Sequence, residues 1–139
     1  MSRFIRTKDG IFEVRTISDE PIIDFDGKPD YDDTRAVYTT TDERHTYYYG
    51  EDVIKEADTI EELCDGYYLY NGYDDKFNPD RIYTTDEKTK ALDDCKDLAF
   101  YIDLMCRGRY ICELRAFIET DKGLIFIGKF NEKGDLELI

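Results

Sequence analysis

Helical periodicity is sustained over only one long stretch of this chain, residues 84–108, and that fact most limits what it can fold into. Thr84 and Glu87 stand at capping-box spacing, Asp86 and Glu87 favour the positive end of a helix dipole, and Gly108 follows Arg107 where a helix would stop. At about 100° per residue, Ala91, Leu92, Cys95, Leu98, Ala99, Ile102, Met105 and Cys106 fall within an arc of about 140°, which predicts the face laid on a core.

Most of the remainder reads as strand. Residues 4–6 and 11–15 flank Lys8-Asp9-Gly10, whose Asp-Gly pair suits a tight turn. After Pro21-Ile22-Ile23 comes an acidic loop over 24–33, and then a second hairpin pairs 36–39 with 46–49 around Asp42-Glu43-Arg44. A strand is expected over 66–70, and a meander over 114–120, 124–130 and 136–139, with Gly123 and Gly134 in its turns. Thr59 and Glu62 repeat the capping-box spacing, and Gly66 stands where a short helix begun at Asp58 or Thr59 would end. The expected fold is α+β: a mostly antiparallel sheet with one long helix packed across it and one short helix, in a single domain over 1–139.

Composition excludes several classes. With 139 residues the chain can bury a core of its own, and no segment approaches the roughly 20 apolar residues of a membrane span. The N-terminus runs into a strand pattern without an apolar signal core, so a cytoplasmic location is expected. Cys64, Cys95, Cys106 and Cys112 match no zinc or redox spacing and are expected as reduced thiols. Cys95 and Cys106 would point the same way from the helix, but a rise of ~16 Å between them prevents a shared metal.

Catalytic chemistry is poorly supplied. The chain has two serines, Ser2 and Ser18, and one histidine, His45, with no nucleophile-elbow, zincin, phosphate-loop or dinucleotide motif. Asp24, Asp26, Asp30, Asp32 and Asp33 could form a loose cation loop. Counted as a calcium loop from Asp24, however, Pro29 stands where glycine is needed and Arg35 where glutamate is needed. No cofactor, metal centre or enzymatic activity is expected, with a carboxylate-dependent enzyme, or a cysteine-based one pairing Cys64 with His45, as the minor alternative.

Charge points to binding. Residues 19–108 carry 25 acidic and ten basic side chains, a net −15, between ends of +2 and −1. Such self-repulsion costs stability, so a basic partner surface is expected, and direct binding of nucleic acid is not. Two regions are candidates for the contact. One is the outer ridge of the long helix: Asp86, Lys90, Asp93 and Asp97, with Phe100 and Tyr101 at its edges; the plain alternative tucks Phe100 under a loop. The other is Asp74 and Asp75 with Tyr67, Tyr70 and Tyr73. The tyrosines also suit a stacking pocket for a small ligand, which is the alternative function. High charge argues against large self-assemblies and sets no particular oligomeric state.

Three stretches, 4–14, 53–65 and 120–134, resemble small acidic proteins of unassigned function carried by phages and mobile elements of Gram-positive bacteria. The resemblance covers about a third of the chain, rests on turns, caps and strands, and brings no catalytic residues with it. It implies a setting in which such proteins bind and disable host or defence proteins, CRISPR nucleases among them.

Overall fold

Gly10, at a φ of 145°, completes the turn that Lys8 and Asp9 begin, and folds β1 (Phe4–Thr7) onto β2 (Gly10–Ile23). The computed structural model describes residues 3–74 and 76–139. It contains two five-stranded antiparallel sheets, in compact units spanning Met1–Leu63 and Cys64–Ile139. The single sheet expected from the strand pattern is therefore two. Among the described residues no helix is long and apolar enough to cross a membrane.

In the first unit β2 pairs with β3 (Pro29–Thr40), β3 with β4 (Tyr47–Tyr49), and β1 with β5 (Lys55–Ala57), giving the order β4-β3-β2-β1-β5. Ile5, Phe12 and Tyr48 form the buried centre, with Val14, Tyr38 and Val53 packed around it. Successive strand residues face opposite ways, so Tyr48 is buried while the Tyr47 and Tyr49 rings meet edge to face on the other side, 5.6 Å apart.

In the second unit β6 (Gly66–Asn71), β7 (Ile82–Tyr83), β8 (Cys112–Thr120), β9 (Gly123–Phe130) and β10 (Leu136–Leu138) take the order β10-β9-β8-β6-β7. Helix α1 (Lys88–Cys106) packs against β8 and β6. The capping box at Thr84 forms as the sequence predicts, closing a 3-10 turn (Thr85–Glu87) that leads into α1. Arg107 and Gly108, with φ of 54° and 71°, end it in the left-handed conformation.

Three further expectations change. The short helix is absent: residues 58–65 make a turn, in which the Glu62 amide donates to Thr59 Oγ1 at 3.4 Å and the Leu63 amide to the Ile60 carbonyl at 3.0 Å. With β6 starting at Gly66, too few residues remain to repay helix nucleation, and Ile60 and Leu63 are buried from the turn instead. Only half of the acidic loop over 24–33 is loop: β2 runs through Pro21 to Ile23, residues 24–28 turn the chain, and 29–33 are already in β3. Finally, Met105, expected on the core face of α1, is 64% exposed. It stands at the margin of the apolar arc in the last turn, and within α1 only Ala91 and Ile102 are fully buried.

Candidate functional site

Beyond Ser18, where β4 no longer pairs with β3, β2 and β3 continue as a two-stranded ribbon, and residues 15–20 and 23–34 are exposed. Residues 16–34 hold seven acidic side chains (Asp19, Glu20, Asp24, Asp26, Asp30, Asp32 and Asp33) against Lys28 alone. The strands fix how these are displayed. Pro21 pairs with Thr34 but Ile22 with Asp30, so Tyr31, Asp32 and Asp33 bulge out of the ladder. At the tip, Asp24 Oδ1 accepts from the amides of Asp26 at 3.0 Å and Lys28 at 2.9 Å, and Gly27 turns the chain with a φ of 79°. Phe25 is fully exposed (107%), and Ile23 and Tyr31 are exposed beside it.

The five carboxylates considered as a cation loop lie on this ribbon without converging. Asp24 and Asp30 each use an oxygen on a neighbouring amide, Asp30 on that of Asp32 at 3.0 Å. Among the described residues no group of three or more His, Cys, Asp or Glu side chains is placed to hold a metal ion. What the ribbon does offer is a run of exposed carboxylates ending in bare apolar side chains.

On α1, Asp93, Asp97 and Phe100 follow one another at spacings of four and three, as the sequence predicts, with Tyr101 beside them. Asp93 and Asp97 are exposed, Phe100 is 72% exposed, and Tyr101 is exposed. Asp86 lies outside α1, in the preceding 3-10 turn, and is also exposed. The ridge continues further than the sequence suggested, through exposed Leu104 and Met105. Leu104 follows Phe100 by four residues, and this spacing was the signal that could have found it.

The second set of candidates separates. Tyr67 is 1% exposed and packs edge to face on Phe130 at 5.1 Å, so it is core and cannot meet a partner. β6 lies inside its sheet, paired with β8 on one side and β7 on the other. Tyr70 is half-buried under the Arg115 guanidinium, 3.8 Å from its ring centroid. Tyr73 is exposed and meets Tyr110 at 5.3 Å. Asp74 is exposed and accepts the Lys76 amide at 3.3 Å, whereas Asp75 lies outside the described residues.

A tyrosine-lined cavity does occur, at β4. About 500 Å³ in volume, it is lined by Tyr47, Tyr48 and Tyr49 with Thr7, Lys8, Asp52 and Ile54. Burial, with a hydrogen bond to Asp9 at 2.9 Å, pushes the Tyr48 phenol up to about 12 and keeps it neutral. His45 is half-buried against the Phe12 ring at 5.0 Å, with Nδ1 3.4 Å from Asp42 Oδ1. Asp42 in turn is held below the usual carboxylate range, first by the Arg44 amide. Compared with family models, with curated proteins and with solved structures, the chain matches none.

Proposed function

We propose that this is a non-catalytic acidic interaction protein that lays its β2–β3 ribbon in a basic groove, one that in the target normally holds nucleic acid. The ribbon carries the reading: seven carboxylates against one lysine, with Phe25 bare at the tip. A two-stranded pair is marginal by itself in water, and this one gives up further stability to like-charge repulsion. A cationic groove offsets both, since it neutralises the carboxylates and covers Ile23, Phe25 and Tyr31. The same charge repels phosphate, so nucleic acid competes with the protein for the groove rather than joining it. In the setting that the resemblance implies, the target is a host or defence protein of the cytoplasm, a CRISPR nuclease being one example.

The test is capture of a partner from host lysate by the intact protein, repeated with the D30K/D32K/D33K variant. The partner should be retained at low salt, released at high salt and displaced by excess duplex DNA. The variant should bind it about tenfold more weakly or worse. Equal retention by the variant, or indifference to both salt and DNA, overturns the reading. If D93K/D97K weakens capture while the ribbon variant does not, the α1 ridge is the contact instead.

The cavity at β4 favours a second reading, a module that binds a small aromatic ligand between tyrosines. Native mass spectrometry of protein purified from its host should then show a bound small molecule, lost in Tyr47→Ala. A mass equal to the bare chain removes this alternative.

A further inference from the structure

Helix α1 and strand β8 border a pocket of about 460 Å³ whose apolar wall includes Leu92, Ala99, Leu114 and Phe130. Two half-buried cysteines open onto it, Cys95 from the middle of α1 and Cys112 from the first position of β8. Both are in the thiol form. The Cys112 thiol donates to the Cys95 carbonyl at 3.8 Å, which sets the two cysteines side by side. Cys64 and Cys106 do not line the pocket.

From this geometry we propose that Cys95 and Cys112 are a reversible dithiol–disulfide site, oxidised by a hydroperoxide that enters the pocket. A disulfide joins only cysteines whose backbones lie within about 7 Å, and here the Cys112 sulfur already lies against the Cys95 main chain. Their roles differ. The hydrogen bond from Cys112 holds the Cys95 thiol below its ordinary range, whereas the same bond together with burial raises Cys112. Cys95 is thus the more readily ionised sulfur and the one that attacks, and Cys112 the one that resolves.

In the first step the Cys95 sulfur attacks the terminal peroxide oxygen. An S–O bond forms, the O–O bond breaks, and the leaving oxygen takes a proton, giving a sulfenic acid and water or an alcohol. In the second, the Cys112 sulfur attacks the sulfenic sulfur and gives up its proton. The S–S bond forms as the S–O bond breaks, and hydroxide leaves as water. Two thiols have then lost two electrons to one peroxide, and an added dithiol returns them by exchange. The product ties α1 to the sheet beside it. This site is independent of the ribbon and of the docking reading.

The experiment treats the full chain with hydrogen peroxide, blocks the remaining thiols with N-ethylmaleimide and maps tryptic peptides. Cleavage at Lys96, Arg107 and Arg109 places Cys95, Cys106 and Cys112 on separate peptides, 91–96, 97–107 and 110–115. Titratable thiols should fall from four to two. Peptide 91–96 should become linked to 110–115, and dithiothreitol should restore all four thiols. Cys112→Ser should leave Cys95 as a sulfenic acid trapped by dimedone, and C64S/C106S should oxidise as the wild type does. Four unreacted thiols, linkage through Cys64 or Cys106, or a bond between two chains overturns the proposal. The wild-type map decides this even if a variant fails to fold.

Discussion

Tyr48 and Tyr83 each bury a phenol against a single carboxylate. Tyr48 donates to Asp9 Oδ2 at 2.9 Å and Tyr83 to Asp94 Oδ2 at 2.8 Å, and burial, more than the carboxylate, pushes both phenols up to about 12. The folded chain therefore keeps two protons that the unfolded chain releases near 10. Their contribution to stability is complete below about pH 10 and is lost as the pH rises through about 12. Melting temperatures of wild type and Y48F/Y83F across that interval should converge as the pH rises; parallel curves would refute the assignment. At the residue scale the sequence was informative about direction. Strand alternation set Tyr48 opposite Tyr47 and Tyr49, and helical spacing set Phe100 off the core arc. It could not say which face of a strand would be covered. Tyr67, chosen as a contact residue, is core for that reason.

The elements differ in how much of their form is local. Helix α1 was readable because its start and stop signals act within a few residues of each other. Thr84→Ala removes the capping box and should cost about 1 kcal/mol, measured by denaturant unfolding. Strand β6 depends on neighbours remote in sequence. A Cβ at Gly66 would stand 2.5 Å from the Tyr83 carbonyl oxygen and 2.9 Å from Phe117 Cζ. Gly66→Ala should therefore destabilise the protein by about 1–3 kcal/mol through overpacking, and an unchanged denaturation midpoint would contradict that packing. The ribbon was the element least legible in sequence. The run of aspartates over 24–33 read as loop, yet residues 29–33 belong to a strand, and Pro21 opposite them sits beside a register shift where a strand tolerates it. Phe100→Ala should leave stability within about 0.5 kcal/mol, because an exposed side chain has little packing to lose.

Across the whole molecule the surplus charge is uneven. The Met1–Leu63 unit carries 17 acidic and eight basic side chains, and the Cys64–Ile139 unit 16 and 11. Residues 16–34 alone account for a net −6 of the total −14. Added salt should raise the melting temperature by screening this repulsion, while it weakens the proposed docking. A melting temperature that falls with sodium chloride, or docking that strengthens, would show that charge is not the governing term. Residue order alone determined the α+β class, the hairpin turns, the capped helix and the acidic surplus, because each follows from interactions between near neighbours or from composition. Tertiary structure decided that the strands divide between two sheets, that the acidic segment is a paired ribbon, that Tyr67 is buried while Met105 is bare, and that Cys95 meets Cys112. Those outcomes depend on which distant strand closes over a given face, and no local pattern encodes that choice.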